Sequence, residues 1–300
     1  MDGSSGESME VDAFELRVAE INTVGLDRLH ALSMSVGWPH RAEDWEFLRE
    51  VGQGIVMLDE IGRVLGSAMW FPHGDRFATI GMVITSPRLQ ALGAGLWLMK
   101  RALARCEGRV FRLNATRAAR RIYLSLDFQR GATVFQCQGE ARPPDDPPEA
   151  PPGAELCRLT DANLAALVAL DAQGFGAPRL ALMTALLEPS TGYGLFRNGA
   201  LEAFALCRRF GRGHVIGPVV AQNDRDAIAV TAPHVAAHGG QFLRLDTHLE
   251  RGDFATFLAK SRLSVFDTVL TMSLGAPFVD PNACAPGLPT TYALASQALG

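Results

Sequence analysis

The sequence predicts two tandem α/β domains, each a mixed, mostly antiparallel sheet with helices on both faces. Two observations carry that expectation. One order of strands and helices occurs twice along the 300 residues, and a proline-rich stretch, Gly139 to Gly153, separates the copies. Hydrophobic residues make up 48% of the chain, enough apolar material to bury a core in each copy.

Four segments follow: residues 1–12 as a disordered leader, 13–138 as the first domain, 139–153 as a stiff extended linker, and 154–300 as the second domain. The leader is polar and acidic and lacks the basic and apolar regions of a signal peptide. No apolar run approaches the length of a membrane span. A net charge of −4 offers nucleic acid and anionic membranes no general attraction, so neither is expected as a partner. Five scattered cysteines with no C-x-x-C pair suggest neither a zinc site nor a redox motif, and fit reduced thiols in cytoplasm.

The elements then pair across the linker. Glu15-Leu16 followed by Leu26, Leu29 and Leu32 matches Glu155-Leu156 followed by Leu164, Leu167 and Leu170, a strand and then an amphipathic helix. Ile55 to Met69, turning at Gly62, matches Gly194 to Leu206, turning at Asn198-Gly199; both read as hairpins. The third strand, Ile80-Gly81-Met82-Val83-Ile84, stands beside Ile216-Gly217-Pro218-Val219-Val220. Phe111 to Thr116 closes the series beside Leu243 to Thr247.

In the first copy the third strand runs through Pro87 into Gln90-Ala91-Leu92-Gly93-Ala94-Gly95 and then a helix, with Leu92, Leu96, Met99 and Leu103 expected on its buried face. Glycines without a Cβ let a ligand approach the backbone, and free amides at a helix start suit a phosphate or pyrophosphate. A GxG before a helix is often only a tight turn, and neither a lysine nor a third glycine completes a nucleotide loop here.

The pattern Gln90-x-x-Gly93-x-Gly95 after a strand resembles the acetyl-CoA loop of the GNAT superfamily of N-acetyltransferases. The stretch Leu113 to Phe128, with Tyr123-x-x-Leu126-Asp127-Phe128, is similar to the family segment ending Y-x-x-L-G-F. Together with Asp171-Ala172, Phe175-Gly176-Ala177, Arg179 and Gly217-Pro218-Val219-Val220 it resembles bacterial tandem GNAT proteins with a divergent second half, from about residue 14 to 278. Departures from that pattern are Asn114 for Asp, Arg117 for Pro, Ala119 for Gly and Asp127 for Gly.

The resemblance implies acetyl-CoA, or another short acyl-CoA, as co-substrate and no metal. It implies backbone pairing of the pantetheine arm with Met82, Val83 and Ile84, a pyrophosphate on Leu92, Gly93, Ala94 and Gly95 beside Gln90, and Tyr123 as general acid. The acceptor implied is the amine of a small molecule, and the protein is expected to act as a monomer or homodimer. Trp38, His73 and Asp246 are candidate acceptor residues. Trp38 serves equally as a core anchor and Asp246 as a helix N-cap; for the general base that an amine requires, His73, Asp75, His40 and Asp44 are the candidates, each read first as a solvated loop residue, with water as the alternative relay.

The second copy has Gln222-Asn223-Asp224-Arg225-Asp226-Ala227 where the first has its glycines, and those carboxylates repel pyrophosphate. Cofactor binding is therefore expected in the first half alone. The same features also accommodate an acyl-CoA-binding sensor or scaffold without turnover, or acyl transfer to a hydroxyl or thiol.

Overall fold

The computed structural model describes residues 8–11, 14–90, 92–146, 148, 151–283 and 287–300. Contacts gather the chain into two compact units, residues 1–72 with 78–109 and residues 73–77 with 110–300.

The first unit orders its strands β1 (Ser8–Val11), β2 (Phe14–Glu20), β3 (Gln53–Leu58), β4 (Val64–His73) and β5 (Phe77–Thr85) side by side. The expected leader is corrected at β1, which pairs antiparallel with β2, Ser8 opposite Arg17. An open strand edge recruits such a segment. Residues 1–7 and 12–13 of the leader region lie outside the described residues.

Helices α1 (Leu26–Ser35) and α2 (Ala42–Val51) bury Leu29, Leu32, Trp45 and Leu48. The Trp45 indole N–H donates to Ser33 Oγ at 3.1 Å. The Asp44 carboxylate caps α2 by accepting from the Arg41 backbone N–H at 2.8 Å and pairs with the Arg41 guanidinium. Asp44 is therefore a structural cap rather than a solvated residue. The β3–β4 hairpin turns at Gly62, whose φ of 78° needs no Cβ, while Asp59 accepts from the Ile61 and Arg63 amides.

Helix α3 (Ala94–Arg105) buries Ala94, Leu98, Met99 and Ala102. The expected face was one step out of phase: Leu92 is exposed, while Leu96 and Leu103 are half-buried. The helix starts at Ala94, after Leu92. Ala94 and Ala102 turn inward, and glycine at 66 leaves room for Leu98.

The second unit contains β6 (Val110–Ala115), α4 (Arg120–Leu124), β7 (Gln129–Glu140), β8 (Glu155–Arg158), α5 (Leu164–Phe175), α6 (Leu180–Leu187), β9 (Thr191–Arg197) and β10 (Ala200–Phe210). It continues with β11 (Gly213–Ala221), α7 (Asp224–Ala237), β12 (Phe242–Thr247), α8 (Asp253–Lys260), β13 (Ser264–Leu274) and β14 (Thr290–Ala293). Its strand order is β6-β13-β7-β12-β11-β10-β9-β8, with β14 added to β11. Asn198 and Gly199, at φ 50° and 79°, form the two-residue turn the sequence predicts between β9 and β10.

The two repeats exchange their closing strands. β13, from the second, lies between β6 and β7; β7, from the first, pairs with β13 on one side and with β12 on the other. Contacts therefore do not divide at 138/139, and residues 110–138 group with the second half. The expected linker also begins as strand, since Gly139 and Glu140 belong to β7 opposite Leu243 and Phe242. A period-two strand pattern identifies a strand but not its partner. The second unit's apolar core packs Leu195, Ala205, Ile216, Val219, Val230, Leu243, Leu245 and Phe254 together.

Candidate functional site

The loop after β5 turns sharply at Gly93 before entering α3. Gly93 sits at φ 80° and ψ −4°, a left-handed conformation that aims the chain into α3. A Cβ there would meet nothing within 4 Å, so the space above the turn is open. The first helical bond runs from Trp97 N to Gly93 O at 3.0 Å, so the amides of Gly93, Ala94, Gly95 and Leu96 precede the intrahelical ladder. No acidic side chain stands in the first turn of α3 to oppose an anion. Leu92 departs from the expectation, because its amide already donates to Leu89 O at 3.3 Å. Gln90 is exposed, and Ala91 lies outside the described residues.

On the strand leading to that loop, Met82 takes φ 51°, uncommon for a residue with a side chain. Such a residue breaks the alternation of N–H and C=O directions along a strand and re-aims its peptide groups. Ser67 Oγ donates to Met82 O at 2.7 Å and holds the irregularity in place. Val83, next along, is half-buried, and Ile84 is buried.

Tyr123 belongs to the second unit, on the short helix α4, with its ring 5.9 Å from that of Phe128. Burial pushes its phenol above the ordinary value, so it holds its proton throughout the working range. Asp127 adopts φ 63°, the left-handed conformation for which the family pattern uses glycine.

Trp38 is half-buried, 5.8 Å from the His40 ring. The fully buried anchor of that region is Trp45. His73 is corrected from a solvated loop residue to a buried one at the end of β4, 5% exposed. It packs against Phe77 and Phe175, which also meet each other, and burial together with the Arg179 and Arg112 charges lowers it to about 3. Asp75 is exposed.

Asp246 is corrected in one of its expected roles, that of a helix N-cap. On β12 it is fully buried, accepting from the Arg244 guanidinium at 3.0 Å and from Gln297 Nε2 at 2.9 Å. It caps no helix, and Arg244 already balances its charge.

The sequence assigns the residues around Asn114 no role in the site. Asn114 Nδ2 donates to Gln297 O, while its Oδ1 accepts from Thr271 Oγ1, which His248 Nε2 contacts at 2.9 Å. Asn114 therefore acts at once as donor and acceptor, which an aspartate at this position could not do while ionised. Arg112, two residues earlier on the same face of β6, lies about 5.0 Å from the rings of Phe77, Phe175 and Phe278. Desolvation and the nearby Arg179 lower it to about 10. The period-two spacing of Arg112 and Asn114 was the one signal that could have linked them. The Asp171 and Arg179 motif is structural: the two form a fully buried fork at 2.6 and 2.9 Å, with Phe175 against the guanidinium.

Among the described residues no group of three or more His, Cys, Asp or Glu side chains is placed to hold a metal ion. No helix there is long and apolar enough to cross a membrane.

The description "Acetyltransferase (GNAT) family" matches residues 25–128, and "Acetyltransferase (GNAT) domain" matches residues 167–283. No curated protein matches the chain. Among solved structures, a putative acetyltransferase from Pyrococcus horikoshii aligns over 100% of both chains at 18% identity and a TM-score of 0.75. A tandem GNAT protein from the clavulanic acid biosynthesis pathway aligns over 88% of this chain and 100% of its own, at 15% identity and 0.62. A GCN5-related N-acetyltransferase from Sphaerobacter thermophilus aligns over 88% and 97%, at 16% and 0.60. At such identities these likenesses concern the fold.

Proposed function

Because the chain belongs to the GNAT superfamily, with an acetyltransferase domain matched in each half, we propose that it transfers an acetyl group from acetyl-CoA to the amine of a small molecule, using the first domain's loop. The observation that carries this reading is the turn at Gly93, with open space above it and helix-start amides free of acidic neighbours. Acetyl-CoA supplies an activated thioester.

The roles of the chain's own residues follow from their chemistry. Gly93, Ala94 and Gly95 hold the pyrophosphate by backbone N–H groups at the positive end of α3, with Gln90 and Leu92 at its margin. Met82, Val83 and Ile84 pair with the pantetheine amides as an added strand would. The re-aimed peptide at Met82 directs an N–H toward the carbonyl oxygen as negative charge grows on it. As the amine nitrogen bonds to the acetyl carbon and the carbon–sulfur bond breaks, Tyr123 gives its proton to the departing sulfur and the amine's surplus proton passes to water. Its raised phenol value keeps the proton available but makes donation to a thiolate, ordinarily near pKa 8.5, more uphill.

The test is thiol release from acetyl-CoA across a panel of primary and secondary amines. Turnover with at least one amine is expected. In Tyr123→Phe the rate should fall about 100-fold, within the usual span for general acid catalysis, with acetyl-CoA binding unchanged. Binding without thiol release across amines, alcohols and thiols would instead point to a sensor.

A further inference from the structure

The third strand of the second domain already has a partner where the first domain would offer its strand to pantetheine. β11 and β12 pair in parallel at His214 with Leu243 and Val215 with Arg244, and β11 then takes a different neighbour. β14 pairs with β11 antiparallel, Val219 opposite Ala293, Val220 opposite Thr291 and Ala221 opposite Thr290. Leu294 N then donates to Asp246 O on β12 at 2.8 Å, so this segment bridges the two diverging strands. Val219 and Val220 are the repeat partners of Val83 and Ile84.

The approach is close: a side chain on Gly217 would run into the Leu294 carbonyl. The pyrophosphate end is filled as well. At the start of α7, Asp224 accepts from the Tyr292 hydroxyl at 3.0 Å and from Phe254 N at 2.9 Å, while Asp226 pairs with Arg197 at 2.7 Å. Beyond β14 the tail brings Gln297 to Asn114 and Asp246, and the Leu299 and Gly300 carbonyls to Arg179.

We propose that residues 290–300 are a built-in ligand of the second domain: β14 lies along β11 as the pantetheine arm lies along β5, and this seat holds the tail against Asn114. The inference rests on the reading of β5 as the pantetheine strand. Strand addition supplies main-chain hydrogen bonds whether the added strand is peptide or pantetheine. Tethering makes the chain's own segment the stronger competitor, because its effective concentration far exceeds that of free cofactor.

The test combines CoA titration calorimetry on the full chain with amide hydrogen exchange over residues 77–85, 213–221 and 288–300. One CoA per chain is expected, with exchange in 77–85 slowed by CoA. Exchange at Thr291 to Leu294 should be at least about 100-fold slower than in an unpaired chain, with or without CoA. Gly217→Ala should speed exchange at those residues about tenfold and leave CoA binding unchanged. A second CoA per chain, faster β14 exchange on saturation with CoA, or unprotected β14 amides overturns the proposal. So does Gly217→Ala with unaltered exchange. Protected β14 amides with no CoA binding at all would sink the first domain's cofactor assignment, and the analogy with it.

Discussion

The two loops that follow the third strand of each repeat began from one plan and now do opposite things with a helix N-terminus. In the first, Gly93 turns left-handed and leaves the start of α3 without an acidic group. In the second, Asn223 caps α7 by accepting from Asp226 N, and Asp224 and Asp226 place two carboxylates in the first turn. The positive end of a helix attracts an anion in either case. One loop leaves that place open; the other fills it from its own sequence.

The largest expected contrast is with acid. His73, His234 and His248 all belong to the second unit and are held neutral by burial, at about 3, 4 and 4. Because their folded values lie below the unfolded value of about 6.5, their contribution is intact above pH 6.5 and is lost as pH falls toward those folded values. Each should cost up to about 1.4 kcal/mol per pH unit across that window. Urea unfolding at pH 7 and pH 5 checks this; equal midpoints would refute it.

Next comes Asp171→Ala, which strands the buried Arg179 guanidinium and should destabilise the second unit by about 3–5 kcal/mol. Thermal unfolding with acetyl-CoA binding as a second readout would show whether the damage spreads beyond that unit.

Gly93→Val sharpens the comparison at the first loop, since a β-branched residue at φ 80° is strained and fills the open turn. A loss of CoA affinity of about 100-fold is expected by calorimetry, roughly the worth of two charge-assisted hydrogen bonds. Unaltered affinity would move the pyrophosphate elsewhere. The smallest effect is for Asp127→Gly, which relieves a left-handed residue and should stabilise the chain by up to about 1 kcal/mol in thermal unfolding.

What the sequence made legible was local. Asn198-Gly199 specifies a two-residue turn by its own backbone preferences, and Gly62 and Gly93 mark positive φ in the same way. The repeat exposed the missing glycines of the second loop. Pairings between distant segments stayed hidden, because β7 reads as a strand whether its neighbour is β6 or β13. The role of Asp246 was missed for a related reason: Arg244, two residues away on the same face, was read only as part of a strand. The buried face of α3 departs from the spacing of its large apolar residues because Ala94 and Ala102 pack inward beside Leu98 and Met99.

The exchange of β7 and β13 means that the repeats cannot be separated with scissors placed at the prolines. A fragment ending near Asp146 would retain β7 without either of its partners, and the complementary fragment would expose the edges of β12 and β13 that β7 covers. Unpaired edges seek strands. Each piece would therefore carry strand edges that only the other covers in the full chain.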